Sequence, residues 1–283
     1  MASGDLPIKK IYIDSKFRRK DSVSSSNFKI DLPYTLKLGE NTVFYVDDVC
    51  VPHTWHTVEQ NINDKLYLRL TLNYAHTDYI FTLRPQTYNG SQLAREIDTQ
   101  IRTGIYLGNA LVPTVSYNSQ NETISLSVTV NVQNVTFDCK ILTDYELKTL
   151  TWGGMPYNIN DLQSVNELLS NNENTSTTGT VATPVQFYLN LQPVRNIYLR
   201  SPNISSFSTI GCNGESSIIK KIPVTTNYGG MIFSTVTSGS DFLDCSKQTW
   251  KTLEFHLLDV NSNYINLHGS NVSFSLVLDK DLN

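Results

Sequence analysis

Polar and apolar residues alternate along most of the chain. In residues 65–73 (KLYLRLTLN), Leu66, Leu68, Leu70 and Leu72 fall on one face and Tyr67, Arg69 and Thr71 on the other. That period of two is what a strand with one side on a core and one side in water requires. Residues 272–278 (VSFSLVL) repeat the pattern, with Val272, Phe274, Leu276 and Leu278 set against Ser273 and Ser275. Residues 42–51 (TVFYVDDVCV) are β-branched and aromatic and stop at Pro52, and residues 27–32 alternate until Pro33 ends them. Shorter runs of the same kind stand at 9–14, 79–83, 112–117, 123–130, 135–139, 186–191, 195–199, 217–224, 230–236, 249–259 and 264–267. The helical period is rarer. Residues 90–103 place Leu93, Ile97 and Ile101 on one stripe behind a capping Asn89, Gly90 or Ser91, and 142–150 and 161–169 carry shorter versions. Residues 171–184 (NNENTSTTGTVATP) are poor in apolar side chains and read as an exposed loop.

Many short strands and one long helix predict an all-β fold, an antiparallel single jelly-roll sandwich with a short helix and loop or insertion elements. No strand–helix alternation of the dinucleotide-binding kind occurs, and no fixed repeat of the length a propeller blade needs. Two regions are expected: a basic arm over 1–30, and a jelly-roll body over 31–283 with an insertion around 140–185. Removal of residues 1–20 is expected to leave the body folded.

Composition narrows the function classes. Hydrophobic residues make up 40% of the 283 residues, enough for a sizeable core, while Asp, Glu, Lys and Arg make up only 17%, against about 25% in an ordinary soluble domain. The surface is therefore largely uncharged-polar. No run approaches the roughly 18 apolar residues of a membrane helix, so no membrane insertion is expected. The opening MASGDLPIKKIYID lacks the apolar core of a secretory signal, and the four cysteines are spaced as reduced thiols are, so secretion by a signal peptide is not expected. A formal net charge of −4 gives no global attraction to nucleic acid. The concentrated cations are Lys9, Lys10, Lys16, Arg18, Arg19 and Lys20, where a flexible arm has a chance to neutralise phosphate without reading bases; a solvated terminus is the plainer reading.

No nucleophile elbow, phosphate-binding loop, dinucleotide loop or HExxH motif is present, so neither an enzymatic activity nor a cofactor is expected. Asp47 and Asp48 are adjacent on a strand and face opposite ways, unlike a carboxylate pair across a cleft. His53 and His56 form the one close histidine pair and are weak metal candidates, with Cys50 and Glu59 nearby. A metal-dependent hydrolase rests on that pair alone.

The segment IYIDSKFRRKDSVSSSNFKIDLP, then VFYVDDVCVPHTWHTVEQNINDKLYL, TLRPQTYNGSQLAREI and NETISL, resembles the vertex (penton) minor capsid proteins of virophages, Polinton/Maverick elements and adintoviruses. SSIIKKIPVTTNYGGMIFSTV and TWKTLEFHLLDVNSNYINLHGSNVSFSLVL resemble the closing strands of that family. The resemblance spans the chain except about 150–185. It implies a structural, non-enzymatic virion protein with a single jelly roll. Five copies would form a ring at each five-fold vertex of an icosahedral capsid, among capsomers of a double-jelly-roll major capsid protein. It places the protein in the virion capsid, assembled in host cytoplasm or nucleus. The basic arm would face internal capsid proteins or the genome, and the 171–184 loop would lie outward. Trp55, Tyr88 and Trp152, amphipathic rings in loops, are candidates for contacts between subunits, with packing at the loop bases as the alternative. A glycan-binding, host-attachment β-sandwich is the other function such a surface suits.

Overall fold

The computed structural model describes residues 9–105, 111–130, 137–149, 163–173, 183–204, 209–211, 214, 217–235 and 241–280. In chain order the strands and helices are β1 (Lys9–Asp14), β2 (Asn27–Lys37), β3 (Thr42–Pro52), β4 (Lys65–Leu72), β5 (Ala75–Thr82), α1 (Gly90–Gly104), β6 (Leu111–Asn118), β7 (Thr123–Val130) and β8 (Phe137–Ile141). There follow α2 (Asp144–Thr149), β9 (Val185–Tyr188), β10 (Asn196–Arg200), β11 (Ile218–Pro223), β12 (Met231–Thr235), β13 (Leu243–Asp244), β14 (Thr249–Leu258) and β15 (Ser273–Lys280). The chain divides into two compact units, one made of Met1–Trp55 and Val194–Asn283, the other of His56–Pro193.

The discontinuous unit is the jelly roll. One of its sheets runs β1-β15-β3-β12, with the two-residue β13 also on β3, and the other runs β11-β10-β14-β2. All pairings are antiparallel. Leaving out β13, the unit's strands in order of sequence fill the sheets as first-eighth-third-sixth and second-seventh-fourth-fifth, the double Greek key of a jelly roll. Alternate residues of both sheets enter one core: Ile13, Phe44, Val46, Phe274 and Leu276 from the first, Phe28, Leu199, Trp250 and Phe255 from the second. Phe44 meets Trp250 edge-on at 5.6 Å and Phe255 meets Phe274 edge-on at 4.9 Å, geometries that aromatic quadrupoles favour.

The continuous unit carries two three-stranded antiparallel sheets, β5-β4-β8 and β6-β7-β9, and helix α1. The helix begins where expected because Asn89 and Gln92 close a capping box, each side chain accepting from the other's backbone N–H. Its Leu93, Ala94, Ile97 and Ile101 enter a core with Leu66, Leu68, Phe81, Ile124 and Leu126. Asp98 ties it to β6 by accepting from the Val115 N–H at 2.9 Å.

These boundaries differ from those the sequence suggested. The body is not one domain over 31–283 interrupted near 140–185; the second unit enters between the third and fourth jelly-roll strands, at 56–193. Alternation in 65–73 marks a strand but is identical whichever core the strand joins, and the face expected in water is covered as well: Tyr67 and Arg69 are both buried, Arg69 because it pairs with Asp78. Nor are residues 1–30 an arm throughout: β1 pairs with β15 from Lys9↔Leu278 to Asp14↔Ser273, because Ile11 and Ile13 alternate toward the core. The run at 264–267 is an isolated bridge, Tyr264 to Leu258. Within 161–169 the described residues hold a single 3₁₀ turn, Val165–Glu167.

Candidate functional site

The basic segment is built on β1 and the loop that follows it. Strand alternation points Lys10, Tyr12 and Asp14 outward from the sheet. Lys10 Nζ donates to Asp47 at 2.5 Å, lies 3.8 Å from Asp48 and sits 5.3 Å over the Tyr12 ring. The Asp47 hydrogen bond raises the Lys10 pKa above its ordinary value. Lys9 Nζ lies 5.6 Å over the Tyr34 ring. Arg18 donates to the Ser15 carbonyl at 3.0 Å. Arg19 bridges Asp21 at 2.9 Å and Asp31 at 3.1 Å, and those hydrogen bonds raise its pKa. Lys16 and Lys20 are exposed. The cations are therefore fixed to a sheet and a structured turn, and Lys10 and Arg19 face carboxylates of the same chain, which weakens the field they offer to phosphate.

The histidines have separate employments. His53 is buried; its Nδ1 is 2.8 Å from the Thr226 carbonyl and its ring stacks on Trp55 at 4.1 Å. Burial lowers its pKa, keeping the imidazole neutral. His56 Nδ1 is 3.2 Å from Thr87 Oγ1, and its backbone N–H donates to Glu59 at 2.6 Å. Among the described residues no three His, Cys, Asp or Glu side chains gather as a metal site requires.

The aromatic candidates need correction. Trp55 is 5% exposed in the jelly-roll core and Tyr88 is 4% exposed in the other core, where its hydroxyl donates to the Arg84 carbonyl at 2.8 Å. A ring closed in by its own chain has no face left for a neighbour. Trp152 lies outside the described residues. Exposed rings are found elsewhere, Tyr74, Phe17 and Tyr188 among them; two, Tyr12 at 78% and Phe233 at 70% exposure, point outward from the β1-β15-β3-β12 sheet. Beside them on that face stand Met231 and the Tyr45–Phe242 pair, 4.7 Å apart. Their signal was present in the sequence as apolar residues on the wrong parity of an alternating strand, Met231 and Phe233 flanking the buried Ile232.

The two outer faces of the jelly roll differ in chemistry. On the β1-β15-β3-β12 face, Asp14, Asp47, Asp48 and Asp279 stand against Lys10. Strict alternation sends Asp47 and Asp48 to opposite faces, but the register of β3 against β15 shifts between Val46 and Val49, a bulge that puts both carboxylates on this face, within 3.8 Å of Lys10. On the β11-β10-β14-β2 face, Lys29, Lys37, Lys221 and Lys251 stand against Asp31 and Glu254. The second face is polar and paired: Lys29 lies 3.7 Å from Glu254, and Asp31 accepts from the Thr252 hydroxyl at 2.6 Å.

No protein-family model matches the chain, and no curated protein matches its sequence. Among solved structures, the chain is similar to the crystal structure of the selenomethionine-labelled mavirus penton protein, with a TM-score of 0.53 and 8% identity over 97% of this chain and 99% of that one. A chain of the cryo-electron-microscopy structure of the Sputnik virophage aligns over 98% of both chains with 13% identity and a TM-score of 0.47. The first likeness covers both compact units and agrees with the resemblance read from the motifs: the chain has the fold of the mavirus penton protein.

Proposed function

We propose that this chain is a structural virion protein, the penton subunit that closes the five-fold vertices of an icosahedral capsid as a homopentamer. The observation that carries the reading is the jelly-roll strand order together with a fold shared with a penton protein along 97% of the chain. The inventory of side chains supports a building block. Buried Arg69 grips Asp78 through two bonds of 2.7 and 2.8 Å, and burial raises the pKa of the Cys139 and Cys245 thiols to about 12, far from nucleophilic use. In this reading the neighbours are capsomers of a double-jelly-roll major capsid protein, and the site of action is the virion. Contact with an interior polyanion falls to Lys16 and Lys20, exposed cations of the arm.

Native mass spectrometry of the full chain tests the assembly. A species of five times the 31.9 kDa chain is expected. A strict monomer at high concentration in several buffers would contradict the reading.

A further inference from the structure

The two outer faces of the jelly roll are unlike in charge and in kind, and this bears on how copies meet. The β1-β15-β3-β12 face presents four carboxylates against one ammonium, and that ammonium, Lys10, is already spent on Asp47. It also exposes Tyr12 and Phe233, large rings of the type that interfaces concentrate. The opposite face presents Lys29, Lys37, Lys221 and Lys251 against Asp31 and Glu254, with Tyr198 and the buried Arg200 of β10 on the same side.

We infer that in the ring the acidic aromatic face of one subunit packs on the basic face of the next; this rests on the penton reading above. A two-fold dimer through the acidic face would set Asp14, Asp47 and Asp48 against their own copies, a like-charge juxtaposition that costs several kcal/mol. A dimer through the lysine face meets the same repulsion. Joining the unlike faces removes both penalties, and because the faces lie on opposite sides of one sandwich, each subunit offers a free acceptor after it has bound. That is the head-to-tail arrangement from which closed rings form. Tyr12 and Phe233 then bury apolar area against the aliphatic stems of Lys29 and Lys221, whose charged ends stay near the carboxylates. The occupant of the exposed aromatic face is thus a second copy of this chain.

The test uses the full chain and three variants. Asp48→Lys changes the acidic face at a residue whose side chain is 57% exposed, and Lys221→Glu changes the basic face at an exposed strand position. Each alone should weaken ring formation by about tenfold in the dissociation constant, read by native mass spectrometry or sedimentation, with circular dichroism and melting temperature unchanged. The double variant Asp48→Lys/Lys221→Glu reverses both sides of the same junction and should recover at least most of the loss. Rings unaffected by either single change, or a folded double variant as weak as the singles, would overturn the inference and leave the pentamer standing. A wild-type chain that forms no ring would instead overturn the penton reading beneath it.

Discussion

Individual residues already separate scaffold from surface. His53, neutral in its stack with Trp55, has a pKa depressed below the ordinary 6.5. The unfolded chain therefore binds a proton there before the folded one does, and this contribution is present above about pH 6.5 and lost as pH falls through the folded value. Denaturant unfolding at pH 7.5 and 5.5 should show a drop in stability that His53→Gln reduces; an identical drop in the variant would contradict the assignment. Glu96 acts lower on the scale. Burial opposes its ionisation, but hydrogen bonds from Arg84 and Gln100 outweigh that and hold its pKa below the ordinary 4.5, so its contribution fades only as pH falls beneath that value. Gly104, at the end of α1, lies against the buried Phe81 ring, so an added methyl has no room. Gly104→Ala should destabilise the continuous unit by about 1–3 kcal/mol, read as a lower denaturant midpoint; an unchanged midpoint would mean that Phe81 gives way.

At the scale of elements, β1 is the strand whose role changes most from what the sequence suggests. Lys9 to Asp14 (KKIYID) carries a short strand-like alternation, but it stands among the cations of the first 30 residues, and that setting makes it part of an arm. Its pairing depends on β15, more than 250 residues away, and no local pattern reports a partner at that distance. Ile13, 2% exposed, should cost about 2–5 kcal/mol when cut to alanine. A chain lacking residues 1–20 should unfold at lower denaturant than the full chain, whereas an unchanged midpoint would restore the expectation that the body folds without them. Other elements were legible because their signals are local: the capping box that starts α1, and the alternation that predicts β7 at residues 123–130 as observed. The surroundings of the two histidines depend on distant residues. Spacing put His53 and His56 together, but His53 turns to Thr226 and Trp55 while His56 turns to Thr87, contacts set by tertiary structure. The ring chemistry of Trp55 and Tyr88 suits a core as well as an interface, and both rings are buried in their own unit.

The whole molecule joins a jelly roll to a second β-rich unit inserted between its third and fourth strands, and at this scale the sparse charge acquires a pattern. Seventeen per cent charged residues is too few for an evenly charged surface, and on the jelly roll carboxylates predominate on one outer face and lysines on the other. A ring built from such subunits should loosen with added salt, because the screening length falls from about 10 Å at 0.1 M to 3 Å at 1 M; aromatic burial opposes complete dissociation. Single-particle electron microscopy of the purified full chain tests the central claim most directly. The expected images are five-fold rings in which each β1-β15-β3-β12 sheet faces the β11-β10-β14-β2 sheet of its neighbour. Isolated subunits, or two-fold dimers joined through like faces, would contradict it.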